Sequence, residues 1–195
     1  TTFALGTTIV KSIVRDAAGN KDSCTFSVTV NPLPCVAQSA LRDNFNRADA
    51  PLAGTGRWSA MLNYPGTGSL NVVNNAMQAT GALLSSAGVV WDTLVGGGSE
   101  LSVKVTQKSG NVNNSSLFIY ARMNSKDYAL GSGYRLRYWE QSGADLIEIH
   151  RVTNGYGNFT VLASTTKEIT PGDVITFRTL CDNKTMVALV NGVQI

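Results

Sequence analysis

The groups in this 195-residue chain best equipped for chemistry are four glutamates, a single histidine and aromatic residues interleaved with arginine. Glycoside hydrolysis needs two carboxyl groups flanking one bond. Glu100, Glu140, Glu148 and Glu168 are isolated, none with a partner two to five residues away on a strand, and the pattern E-x-D-x-x-E is absent. A Ser-His-Asp arrangement would use His150 as base, but no G-x-S-x-G turn is there to present a serine. No glycine-rich loop precedes a helix to cradle phosphate. Cys24, Cys35 and Cys181 lie far apart, and with one histidine they do not make a zinc set. The chain reads as a non-enzyme that needs no catalytic cofactor.

A face is a better candidate than any motif. Side chains alternate across a strand. Over 116–122, Leu117, Ile119 and Ala121 share one side, leaving Phe118, Tyr120 and Arg122 on the other. Over 133–139, Tyr134, Leu136 and Tyr138 take the core side, leaving Arg135, Arg137 and Trp139. Over 145–151, Ile147 and Ile149 point inward, leaving Glu148 and His150. If these strands are neighbours, one face carries Tyr120, Arg122, Arg135, Arg137, Trp139, Glu148 and His150. Flat rings stack on the apolar faces of sugars while Arg and Glu bond the hydroxyls, so this face suits a surface polysaccharide or glycoprotein. It equally suits a solvated face held by cross-strand Arg–Glu pairs, with Trp139 under arginine stems and His150 an ordinary surface residue.

Asp43, Asn44, Asn46 and Asp49 form an oxygen-rich cluster that could hold a structural calcium ion, or could simply cap turns. Asn113, Asn114, Asn158 and Asn183 stand in N-x-S/T sequons, which matter only where the source glycosylates secreted proteins.

The elements that must position these groups are strands. Ile9, Ile13, Phe26, Val28 and Val30 have strand-like spacing, with a turn at Asp16–Asn20. From Leu41 onward, strands are predicted at 41–47, 69–73, 76–80, 87–92, 99–107, 116–123, 127–130, 133–140, 145–152, 158–164, 173–181 and 185–190. Turn signals punctuate them: Asn74-Asn75, Gly96-Gly97-Gly98, Ser109-Gly110, Ser142-Gly143, Asn154-Gly155 and Pro171-Gly172. No window holds three turns of helical periodicity. The expected class is all-β, a two-sheet antiparallel sandwich.

Charged residues make up 15% of the chain, glycines number 19, and the net charge of +3 is spread along the sequence. This is the profile of a turn-rich extracellular β protein. No Lys/Arg run suggests nucleic acid, and no apolar stretch suggests membrane insertion.

FALGTTIVKSIVRDAAGNKDSCTFSVTV, residues 3–30, closely resembles the carboxyl-terminal half of a hyaline repeat (HYR), an immunoglobulin-like module of extracellular adhesion proteins. The resemblance implies a spacer or adhesive stalk, with Cys24 separated from an upstream partner. RDNFNRADAPL at 42–52, the run 117–152 and ITFRTLCDNKTMVALVNGVQI are similar to bacterial and phage domains of the concanavalin A-like, laminin G-like jelly-roll class. That class often carries structural calcium, and strands usually follow its Asn-Gly turn, which implies truncation at the C-terminus. The expected organisation is a partial Ig-like module over 1–31, a Pro-rich linker over 32–39 and a jelly-roll sandwich over 40–195. Cys35 in the linker could pair with Cys181 or another cysteine. Three functions follow from these resemblances. The first is a non-catalytic extracellular adhesion or carbohydrate-recognition module of a larger bacterial surface protein. The second is a virion or filament subunit that assembles with its own copies. The third is an accessory part of a secreted glycoside hydrolase.

Overall fold

The computed structural model describes residues 2–4, 6–30, 43–81, 86–91, 98–108, 110, 115–182 and 184–195. The proline-rich linker with Cys35, the expected strand residues 41–42 and 92, the turn positions Gly96, Gly97 and Ser109, and the sequon residues Asn113, Asn114 and Asn183 lie outside them. The chain divides into two compact units, Thr1–Val36 and Ala37–Ile195.

The first unit is one hairpin. Strands β1 (Gly6–Arg15) and β2 (Lys21–Val30) pair antiparallel from Gly6↔Val30 to Arg15↔Lys21. The turn is built by Asp16, whose carboxylate accepts the backbone N–H groups of Ala18 and Asn20 and the Asn20 side-chain amide at 2.7–2.9 Å. Ile9, Ile13, Val14 and Phe26 are all exposed, as is the free thiol of Cys24. An isolated two-stranded ribbon is marginally stable in water, so this hairpin draws little stability from burial.

The second unit contains strands and no helix among its described residues. Two small sheets come first. β3 (Ala50–Pro51), β5 (Ser69–Val73) and β6 (Ala76–Thr80) form one, and β4 (Trp58–Ala60) pairs with β7 (Val89–Trp91) in the other. Asn74 and Asn75, at φ 51° and 59°, close the β5–β6 hairpin in the left-handed conformation that a two-residue turn requires.

Two four-stranded antiparallel sheets make the body. The first has β9 (Ser116–Ala121), β10 (Gly133–Trp139), β11 (Leu146–Val152) and β12 (Phe159–Thr166) as a meander in sequence order. The second is ordered β15-β14-β13-β8, from β8 (Ser99–Lys104), β13 (Val174–Thr179), β14 (Met186–Val190) and β15 (Val193–Gln194). Their facing sides meet in one core. Ile119, Ala121, Leu136, Tyr138 and Ile147 from the first sheet pack with Ile175, Phe177, Ala188 and Val190 from the second, joined by Val105 and Ile169. This is a β-sandwich, as the period-two alternation of these strands requires.

Three sequence expectations fail locally. Residues 127–130 are a turn, because Asp127 caps it: its side chain accepts Ala129 N and its carbonyl accepts Gly131 N. The described residues of the expected 41–47 strand, Asp43 to Arg47, are irregular, with Phe45 at φ 54°. Short β3, β4 and β15 were not expected, since two or three residues carry no readable alternation.

Candidate ligand-binding face

The side of the first sheet that turns away from the core is where the sequence places its candidates. Register puts Arg135 opposite both Tyr120 and His150, and Arg137 opposite both Phe118 and Glu148. Tyr120, Arg135, Arg137, Trp139, Glu148 and His150 therefore share one face. Arg122 does not belong with them. It follows the end of β9 at φ 55°, which breaks the alternation, and its Nη2 donates to the Leu180 carbonyl at 3.3 Å.

The face is far less open than alternation alone implies. Arg135 is 5% exposed and His150 is fully buried, so His150 is no surface residue. Phe159 on β12 lies over His150, with ring centroids 4.4 Å apart and planes 13° from parallel. The Arg135 guanidinium sits between two rings, 4.6 Å from the Phe118 centroid and 4.2 Å from that of Phe159. Its Nε donates to His150 Nδ1 at 2.9 Å, and its Nη1 donates to the Tyr156 carbonyl at 2.8 Å and to Tyr120 Oη at 3.4 Å. The Arg137 guanidinium stacks 3.9 Å from Trp139, donates through Nε to Ser116 Oγ and through Nη1 to Glu148 Oε2. Such cation–π contacts fix ring orientation as well as adding stability.

These contacts settle the state of His150. Arginine Nε–H can only donate, so Nδ1 is the acceptor and the ring proton is on Nε2, directed at Glu148 Oε2 3.1 Å away. Burial, reinforced by the Arg135 charge, holds its pKa below the ordinary imidazole value, against the opposing pull of Glu148. With both nitrogens engaged, the imidazole has no lone pair left to act as a general base. Burial likewise raises the pKa of the Tyr120 phenol, with Arg135 opposing.

Aromatic rings continue away from this cluster. Phe118, Tyr120, Tyr156, Tyr128 and Tyr64 follow one another with centroids 6.1, 4.7, 5.7 and 5.2 Å apart. Tyr156 is buried and reaches back through its hydroxyl to the Ser125 carbonyl, and burial pushes its pKa up to about 12. Gly131 leaves room for it: a Cβ there would lie 2.0 Å from Tyr156 Cε2. Phe118, Phe159 and Tyr156 were not among the expected site residues. Only Phe118 carried a signal, its i, i+2 spacing from Tyr120.

Several other described carboxylates are held in ion pairs and hydrogen bonds. Lys108 Nζ lies 3.0 Å from Asp145 and 3.0 Å from Glu168. Asp145 is fully buried and also accepts Tyr138 Oη and the Ile169 and Gln141 backbone amides. The Lys108 ammonium stands between the two carboxylates and ion-pairs with each, so this cluster, invisible in the sequence, reads as a staple rather than an open acid pair. Glu100 pairs with Arg178, and the Glu140 carboxylate accepts Gly110 N. At the opening of the unit, Asp43 accepts Phe45 N, Trp58 Nε1 and the Arg47 guanidinium at 2.7–3.0 Å. Partial burial works against it, but those donors hold its pKa below the usual carboxylate value. Asn44 Oδ1 accepts Asn46 N, and Asp49 accepts Asn74 N. Among the described residues, no three His, Cys, Asp or Glu side chains are grouped to hold a metal. Cys181 is disulfide-bonded to a partner outside the described residues.

Residues 1–30 match the HYR domain. HYR domains are non-catalytic, extracellular adhesion-type modules, and the match over this part of the chain is consistent with a cell-surface or secreted setting. No curated protein and no solved structure matches the chain. Among the described residues, no helix is long and apolar enough to cross a membrane.

Proposed function

We propose that the chain is a non-catalytic extracellular recognition module, in which a HYR-type segment accompanies a concanavalin A-like sandwich that holds carbohydrate on the outer face of β9–β12. The observation that carries this reading is the ring platform of that face. Phe118 is 37% and Phe159 46% exposed, yet both are anchored from behind by a buried guanidinium, and Trp139 is anchored beside them by Arg137. Rings held flat before a ligand arrives lose little entropy on binding, and a pyranose presents an apolar face to match them. Glu148 Oε1 and the Trp139 indole N–H, neither hydrogen-bonded to a described residue, supply polar contacts at the margin. Among the described residues of this face, no available base stands beside two open carboxylates, which favours binding over cleavage there. A glycan array with neutral and acidic oligosaccharides tests this, using Trp139→Ala as the control. Retention that is lost in the variant supports the proposal; an array blank for the parent chain rejects it.

A further inference from the structure

We infer that the ligand of this face is an anionic sugar, one whose carboxylate or sulfate oxygen meets the Arg135 guanidinium between Phe118 and Phe159. This rests on the carbohydrate reading above and narrows it to a ligand class. Buried charges in proteins are almost always paired. Arg135 is 95% removed from water, yet its acceptors are an imidazole nitrogen, a backbone carbonyl and a phenol, all neutral. No described carboxylate lies within ion-pair distance of it. The nearest one in the ladder, Glu148, is already shared by Arg137 and His150 Nε2. Since His150 is neutral, the face carries two positive charges against one negative.

The geometry also says where the missing anion would bind. Two rings approach the guanidinium, and Nε and Nη1 are occupied. Nη2 is the remaining nitrogen, with no acceptor among the described residues, and it is not one of the buried side-chain atoms lacking a partner, so it keeps contact with solvent. Arg137 stands two residues along the strand and more open, with its own Nη2 likewise unused. An anionic oxygen at Arg135 Nη2 would form a charge-assisted hydrogen bond in a low-dielectric setting, where such bonds are strong. The flanking Phe118 and Phe159 rings would receive the apolar edge of the sugar that bears it.

The test is equilibrium binding of the whole chain to immobilised polygalacturonate, dextran sulfate and dextran, over a salt series. The expected result is at least tenfold tighter binding to polygalacturonate or dextran sulfate than to neutral dextran. The better of the two acidic probes identifies the group as carboxylate or sulfate. Arg137→Gln should weaken acidic binding about tenfold. Lys184→Gln, which removes one exposed charge elsewhere, should leave it unchanged. Arg135→Lys keeps the charge but loses the fork. If its melting matches the parent it should bind as weakly as Arg137→Gln, and if it unfolds the decision rests on Arg137→Gln. Equal affinity for dextran and the acidic polymers overturns the inference while leaving the carbohydrate platform intact. Equal losses in Arg137→Gln and Lys184→Gln also overturn it, since they mark general attraction of polyanions to a chain of net charge +3. Failure to retain any of the glycans, neutral ones included, removes the platform itself.

Discussion

The two sheets of the sandwich share one core but differ on the sides that turn away from it. On the β8–β13 pair, register sets Glu100 opposite Arg178 and Ser102 opposite Thr176. Each bonds its counterpart, and the ion pair is 47% and 42% exposed. Every charge of that pair has its opposite one strand away, in water. On β9–β12 the carboxylate of Glu148 pairs with Arg137, Arg135 is buried with only neutral acceptors, and aromatic rings cover what a solvated face would leave open. Cross-strand pairing explains the first arrangement fully. It leaves the second with a surplus charge and rings held flat, the features on which the proposed ligand binding rests.

Four changes would break or sharpen that contrast. The largest effect belongs to Arg135→Met. It strands His150 Nδ1 and the Tyr156 carbonyl without their donor and should lower stability by about 3 kcal/mol in urea unfolding. A loss below about 1 kcal/mol would mean that the stacked guanidinium holds little of the face together. Gly131→Ala comes next, at about 2 kcal/mol, because the new methyl overlaps the Tyr156 ring and the core there is close-packed. Near-ultraviolet circular dichroism should change with it, and an unchanged spectrum would place Tyr156 outside the aromatic row.

The third test uses acid. The folded state keeps His150 neutral, whereas the unfolded chain protonates it near the ordinary value of 6.5. Below that value the unfolded state binds the extra proton, so stability is full above it and declines as pH falls towards the depressed folded pKa. Because the chain has a single histidine, His150→Gln should flatten the stability profile between pH 7 and pH 5.5. A parent profile already flat there would refute the buried, neutral imidazole. The smallest effect is expected for Glu100→Gln on the other sheet, within about 0.5 kcal/mol, as usual for an exposed pair. A larger loss would mean the two outer faces are more alike than their exposures indicate.

Much of the architecture was legible. Leu117, Ile119 and Ala121, then Leu136 and Tyr138, then Ile147 all alternate into the core as their spacing requires. The Asn-Asn turn at 74–75 closes the hairpin it was expected to close. The candidate face was half legible: register confirms that six of its seven residues lie together, without deciding whether they bind a ligand. Arg122 left it because a positive φ follows the last strand residue, which residue type does not announce. The oxygen-rich run at 43–49 was ambiguous for a different reason. Whether its carboxylates face a cation or a turn depends on Arg47, Trp58 and Asn74, and two of those lie well away in the chain.

The sequence alone determined which edge of each strand is apolar, because that is a local pattern of period two. What covers the polar edge was a tertiary decision. A register shift between Ile149 and His150 skips Leu162, so Val161 pairs with His150 and Phe159 with Val152. Without that one-residue bulge, Phe159 would point to the opposite side of the sheet. Its ring instead closes over His150 and Arg135, turning a row of polar residues into a buried cation between two rings. No local spacing encodes that outcome, because it depends on how two strands slide against each other as the sheet assembles.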